Sequence, residues 1–297
     1  MQEELRNELR DELRHDVGRR DVERRALGRR DLQGRTALVT GASSGLGAAF
    51  ARQLARRGAD VVLVARRADR LEALAEELRA ELGVEATPLA YDLADPISAR
   101  ALVAELDARG LAVDLLINNA GAGLHADFLA TEWERQRAQI QLNLVSLVEL
   151  THALGAKMAE RGRGHVLNVA SIGAFLPVPG YATYAASKAF VRNFSEAIAH
   201  ELAPRGVRVC CLSPGGIDTE FFEVSGQPMA SWMKLALMSP ERCARIGLRA
   251  LFGCRRSVVS GFSNALAMLS LRFVPRWLAV IAATIFMGKP AAPPKQA

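Results

Sequence analysis

From residue 36 onward the chain alternates short apolar runs with amphipathic stretches, and this alternation restricts the fold more than any other feature. Residues 36–40, 61–65, 86–90, 115–118, 165–169 and 207–213 are of strand length, whereas 45–57, 70–82, 96–109 and 133–160 carry helical periodicity. Strands that alternate with helices pair in parallel through right-handed crossovers. Strands that are apolar throughout suit a sheet covered on both faces. The expected fold is therefore a doubly wound α/β domain, with its ligand beyond the carboxyl ends of the strands.

Composition adds three boundaries. The 297 residues are half apolar and carry a formal charge of +6, a value that on its own would suggest nucleic acid. The charge is unevenly placed: residues 1–31 are net zero, residues 242–297 hold nine basic residues and no acid, and the stretch between is slightly acidic. A single basic, apolar-rich tail without a recognised module argues against nucleic-acid binding. We divide the chain into a charged arm at 1–31, read as disordered or marginally helical, a domain at 32–261 and a helical extension at 262–297. The four cysteines, 210, 211, 243 and 254, have no metal spacing and read as structural thiols of a reducing compartment. The N-terminus is too charged for a signal peptide, and no apolar run reaches the ~18 residues of a membrane span. A cytoplasmic chain is expected.

The first apolar run ends in Thr40-Gly41-Ala42-Ser43-Ser44-Gly45-Leu46-Gly47. Glycines there allow a tight turn, close backbone approach to a phosphate, and tight helix–sheet packing, while the following helix start favours a pyrophosphate. The second run ends Ala65-Arg66-Arg67, with no acid for an adenosine ribose and two guanidiniums for a 2′-phosphate. The expected cofactor is NADP(H) in preference to NAD(H); the alternative is that both arginines merely open a solvated helix. Asp92 can accept from an adenine amino group or cap the next helix. Asn118, Asn119, Ala120 and Gly121 close the fourth run with small or bracing side chains.

Ser171 follows the fifth run, and Tyr184 and Lys188 stand four residues apart, on one face of a helix. A phenol with an ordinary pKa near ~10 needs a neighbouring cation to act as an acid–base near neutrality. Tyr181 has Ala185 at the same spacing and cannot play this part.

Taken together, Thr40–Gly47, Asn118–Gly121, Ser171 and Tyr184-x-x-x-Lys188 resemble a short-chain dehydrogenase/reductase over about residues 34–260. The resemblance implies a Rossmann-like fold and a reaction that interconverts a carbonyl and an alcohol. Tyr184 would be the acid/base, with Ser171, Lys188 and Asn143 completing the catalytic set and Asn143 holding a relay water. It further implies cofactor contacts at Gly41, Ser43, Ser44, Gly45, Leu46, Gly47, Arg66, Arg67, Asp92, Leu93, Asn119, Ala120, Gly121, Tyr184 and Lys188. Pro214, Gly215, Ile217 and Thr219 would line the nicotinamide, and the protein would be a homodimer or homotetramer.

Residues 220–239 are rich in Phe, Met and Trp, so a hydrophobic carbonyl or alcohol substrate is expected, bounded by Ser171, Phe175, Phe221, Phe222 and Trp232. The other reading of these apolar residues is core or dimer packing. His125 reads as a rim or solvated residue. The tail, with an apolar stretch flanked by Arg272, Arg276 and Lys289, suits either packing on the domain or a subunit, or peripheral contact with anionic lipid. A different class of function, an NADP(H)-binding sensor without turnover, also fits this fold.

Overall fold

A computed structural model describes residues 31–227 and 237–287. The six apolar runs become strands β1 (Thr36–Thr40), β2 (Asp60–Ala65), β3 (Ala86–Ala90), β4 (Val113–Asn118), β5 (Gly164–Val169) and β6 (Val207–Ser213), and a short seventh strand, β7 (Ser257–Val259), joins them. All pair in parallel, in the order β3-β2-β1-β4-β5-β6-β7. Parallel neighbours require crossovers. These are supplied by α1 (Gly45–Ala55), α2 (Ala68–Leu82), α3 (Ser98–Ala108), α4 (Trp133–Ile140) running into α5 (Ser146–Glu160), α6 (Ala182–Leu202) and α8 (Pro240–Phe252). A short helix, α7 (Phe221–Ser225), lies in the β6–α8 connection. Two further helices, α9 (Phe262–Ser270) and α10 (Arg276–Met287), follow β7. The doubly wound, Rossmann-like fold expected from the alternation is the observed one.

Side chains on the two faces of the sheet form separate cores. One joins Val39, Val61, Leu63 and Ile117 to α1, α2 and α8; the other joins Leu38, Val62, Leu116 and Val166 to α3, α5 and α6. Strands with apolar side chains on both faces sit between them, as the continuous runs require.

The chain runs outward from β1 to β3, then returns to place β4 on the other side of β1. Such a reversal opens a crevice at the carboxyl ends of the strands. Here Thr40 ties that crevice together: its Oγ donates to the Ile117 carbonyl at 3.3 Å and accepts from the Asn119 and Ala120 amides at 3.0 and 2.9 Å. Deeper in the sheet, Asn118 Nδ2 donates to Asn168 Oδ1 and Thr151 Oγ, both at 2.9 Å, and Asn168 Nδ2 donates to Ser195 Oγ at 2.9 Å. These buried amides brace β4 to β5 and to the helices on one face.

The expected continuous helix over 133–160 is interrupted by a π turn at Gln141–Val145. Asn143 sits at its centre and is fully buried. A side chain that bonds outside its own helix is a known cause of such a local widening.

Phe50 on α1 is fully buried in the first core, close to Gly247 of α8. Phe50→Ala is expected to lower stability by about 3–5 kcal/mol, seen as a lower urea midpoint with an unchanged m-value.

Candidate active site

The β1–α1 turn is shaped by its glycines. Gly41 and Gly45 have φ of +68° and +52°, in the left-handed region that glycine adopts without penalty. At Gly47 a Cβ would stand 2.1 Å from the Gly41 carbonyl oxygen, so no side chain fits where α1 meets the turn. The first turn of α1 contains no acidic residue, and its N-cap Ser44 makes no side-chain capping bond. Leu46 is buried in the first core. The result is a backbone surface with free amides and a positive helix end, suited to a phosphate. Thr219 lies over it, with Cγ2 2.8 Å from where a Gly45 Cβ would be.

The two arginines after β2 separate. Arg66 reaches Asp92 at 3.9 Å and is largely exposed. Arg67 turns toward the glycine-rich loop, donating to Ser44 Oγ at 2.8 Å and Ser43 Oγ at 3.1 Å. Its other nitrogen meets Glu220 at 2.9 Å, and Arg70 holds the second Glu220 oxygen at 2.7 Å. The Arg70 and Arg67 guanidiniums hold the Glu220 carboxyl down at about 2, so this ion pair persists across the physiological range. A carboxylate of the chain itself thus shows that Arg67 and Arg70 are aimed to share one anion. The sequence reading missed Arg70 and Glu220. Arg70 was detectable as the residue three positions after Arg67, on the same helical face; Glu220 was not, since it approaches from 150 residues away.

Asp92 accepts from the Ala94 amide at 3.0 Å and so shapes the turn after β3, leaving its other oxygen toward Arg66. Leu93 is buried, and its carbonyl accepts from Ser146 Oγ at 2.6 Å. Asn119 Nδ2 donates to the Thr40 carbonyl at 3.0 Å, holding 119–121 close to the glycine turn.

Ser171 leaves β5 and caps the short turn Ile172–Phe175, its Oγ accepting from the Gly173 amide at 3.1 Å. Tyr184 is its neighbour across Gly173, where a Cβ would lie 3.5 Å from Ser171 Oγ and 3.9 Å from Tyr184 Cε1. Lys188, one turn along α6, is buried, and its Nζ donates to the Val169 carbonyl at 2.8 Å while standing 5.8 Å from the Tyr184 ring centre. Gly121 leaves space for both neighbours: a Cβ there would be 3.2 Å from Lys188 Nζ and 3.2 Å from Asn143 Oδ1. Asn143 accepts from the Ala122 amide at 3.0 Å and donates to the Ala122 carbonyl at 2.9 Å and Ser187 Oγ at 3.1 Å.

Desolvation dominates the titration of this cluster. It pushes the Tyr184 phenol up to about 12, opposed by the nearby Ser171 hydroxyl, and lowers the Lys188 ammonium to about 8. The expected lowering of Tyr184 by Lys188 is thus not the leading effect in this geometry. Tyr184 stays a neutral phenol near neutrality.

Aromatic side chains wall the space beside Tyr184. Phe221 and Tyr181 lie 5.4 and 5.5 Å from its ring, and Phe222 meets Phe221 edge-on at 5.8 Å. Tyr181, excluded as an acid–base by its spacing, shares its hydroxyl with Ser225 at 2.7 Å and donates to Gln227 at 3.0 Å. Phe175 is half-buried with the Arg192 guanidinium 4.2 Å over its ring. Trp232 lies outside the described residues. His125 differs from the expected rim position. It is 3% exposed, packed 4.8 Å from the Tyr181 ring, and burial lowers its pKa, keeping the imidazole neutral. Its own amide, bonded to the Ser225 carbonyl at 2.9 Å, draws it in.

The segment after β6 closes the site. The Pro214 carbonyl accepts from the Ile172 amide at 2.8 Å, Ile217 bridges to Met238, and Asn264 of α9 stands against Gly215, where a Cβ would lie 2.3 Å from its Nδ2.

Comparison with known proteins shows the family and the fold. The family model for short chain dehydrogenases matches residues 35–229. An uncharacterised oxidoreductase of Myxococcus xanthus is 39% identical over 200 residues, covering 67% of this chain and 79% of its own length. A short-chain dehydrogenase from Sphingobium yanoikuyae in complex with NADPH superimposes with a TM-score of 0.73 at 33% identity, covering 82% of this chain and 95% of that one. A structure reported for 7β-hydroxysteroid dehydrogenase stereoselectivity gives 0.79 at 28% identity, covering 86% and 99%.

The burial of Lys188 has a measurable cost. Its folded-state pKa of about 8 lies below the ordinary 10.5, so between these values the unfolded chain binds more protons. The cost is present in full below pH 8 and is relieved as pH rises toward 10.5. Lys188→Met is expected to stabilise the fold by about 1–3 kcal/mol near neutrality, a gain that shrinks on titration to alkaline pH in urea melts.

Proposed function

The chain belongs to the short-chain dehydrogenase/reductase family, and from that premise we propose an NADP(H)-dependent oxidoreductase that interconverts a carbonyl and an alcohol on a hydrophobic substrate. The observation that supports this reading is the grouping of Ser171 and Tyr184 about Gly173, beside the buried, carbonyl-anchored Lys188. Two neighbouring hydroxyls can hold a carbonyl oxygen, and the neutral phenol can give it a proton.

The cofactor fits the residues present. The side-chain-free approach of Gly41, Gly45 and Gly47 would admit a pyrophosphate, with Ser43, Ser44 and Leu46 around it. Arg67 would hold the adenosine 2′-phosphate, joined by Arg70, because both already share a carboxylate. Arg66, paired with Asp92, would border the adenine, and Leu93 with Asn119–Gly121 would floor it. Lys188, Pro214, Gly215, Ile217 and Thr219 would hold the nicotinamide ribose and ring. When bound, the nicotinamide supplies or accepts the hydride.

Within the protein, Ser171 orients the substrate oxygen and Tyr184 transfers the proton at its hydroxyl. Lys188 supplies positive charge next to that phenol. Asn143 fixes the 121–122 backbone and Ser187 from the π turn, and with water would return the proton to Lys188. Phe175, Phe221 and Phe222, with Trp232, would bound the substrate. The aromatic enclosure of Tyr184 and the steroid dehydrogenase likeness both favour an apolar substrate.

Tyr184→Phe is expected to lower turnover by about 10²–10⁴-fold while leaving NADPH binding intact; retained turnover would contradict the assignment. Arg67→Ala combined with Arg70→Ala should weaken NADPH about 10–100-fold and spare NADH, measured by fluorescence titration. Glu220→Gln, which releases both guanidiniums, should tighten NADPH instead.

A further inference from the structure

The two helices after β7 present their side chains in the reverse of the usual order. On α9, Asn264 faces the domain, donating to the Ser260 carbonyl at 2.8 Å, while Phe262, Leu266 and Leu269 on the opposite side are exposed by 86, 56 and 53%. On α10 the buried positions are Ala279 and Ala283, and the outward face carries Trp277, Ile281 and Ile285, exposed by 64, 49 and 78%. A surface helix of a water-facing domain does the opposite, with large apolar residues inward. Nine of the sixteen exposed large hydrophobic residues among those described lie at 262–285. A concentration of this kind marks an interaction surface.

Charge and length identify what covers it. Arg272 and Arg276 are exposed between the two apolar faces, and residues 242–297 contain nine basic residues without one acid. A second copy docked by twofold symmetry would bring identical basic rims together with no acid from this segment to pair them. An anionic surface pairs with them directly. Among the described residues no helix is long and apolar enough to cross a membrane. The twelve residues of α10 extend only ~18 Å at the standard rise, against a hydrocarbon core of ~30 Å.

We infer that α9 and α10 form an interfacial anchor that seats the protein on an anionic lipid bilayer, with Phe262, Leu266, Leu269, Trp277, Ile281 and Ile285 entering the headgroup boundary. α9 packs beside the Ile172–Phe175 turn that follows Ser171, so the bilayer would lie on the same side as the wall of the candidate substrate site. This anchoring does not depend on the reaction assigned to that site.

The test is flotation of the full-length protein with vesicles of phosphatidylcholine alone or mixed with phosphatidylserine. Recovery on the anionic vesicles, falling with added salt, is expected, with little on the neutral ones. Arg272→Gln combined with Arg276→Gln should weaken partitioning roughly 30-fold, equivalent to about 1 kcal/mol for each lost charge. Phe262→Ser, Trp277→Ser and Ile285→Ser together should abolish recovery, and circular dichroism and NADPH titration should show the fold and cofactor site unchanged. Absence of recovery on anionic vesicles, or equal recovery on both compositions, overturns the proposal. So does a wild-type oligomer, measured by light scattering, that the triple variant dissociates while vesicle recovery is unaffected, since the apolar face would then belong to a second copy.

Discussion

The contact of Gly47 with the carbonyl of Gly41 is the constraint on which the rest of the site depends. It exists because Gly47 carries no Cβ, which would fall 2.1 Å from the Gly41 oxygen, and Gly41 none, which would fall 2.8 Å from Asn119 Nδ2. This lets α1 rise directly from the end of β1, and it lets Asn119 reach the Thr40 carbonyl from β4. The reversal of strand order there creates a crevice, and the Thr40 hydroxyl keeps its two sides in register. Arg67, Thr219 and the 119–121 backbone all converge on this junction.

A second constraint is electrostatic. Lys188 is placed where water cannot solvate it, with the Val169 carbonyl as its hydrogen-bond acceptor. Burial of this ammonium costs the fold stability, and its nitrogen stands 5.8 Å from the Tyr184 ring centre. Desolvation acts on both partners, keeping the phenol protonated and the amine easily deprotonated. Gly121 and the π turn around Asn143 complete this arrangement by bringing backbone and amide within reach of the amine.

Much of this was legible in the sequence because it is local. Alternating apolar runs gave the sheet, the glycine spacing located the turn, and the Tyr184–Lys188 interval placed both groups on one helical face. What escaped depends on contacts distant in the chain. Arg70 gains meaning only when Glu220 arrives from beyond β6, and the separation of Arg66 from Arg67 accompanies the contact of Arg66 with Asp92 in the turn after β3. His125 is polar and lies in a loop, yet Tyr181 and the Ser225 carbonyl bury it. The inverted faces of α9 and α10 were equally hidden, because composition records that a helix is apolar but not which side meets the domain.

The central claim, that this chain moves a hydride between a nicotinamide and a hydrophobic carbonyl with Tyr184 as proton donor, is tested most directly by isotope transfer. The full-length protein would be incubated with NADPH deuterated on the transferable position and a panel of hydrophobic ketones and aldehydes, with the products read by mass spectrometry. The account predicts an alcohol carrying deuterium on the carbinol carbon. Saturable NADPH binding without a labelled alcohol from any member of the panel would contradict it.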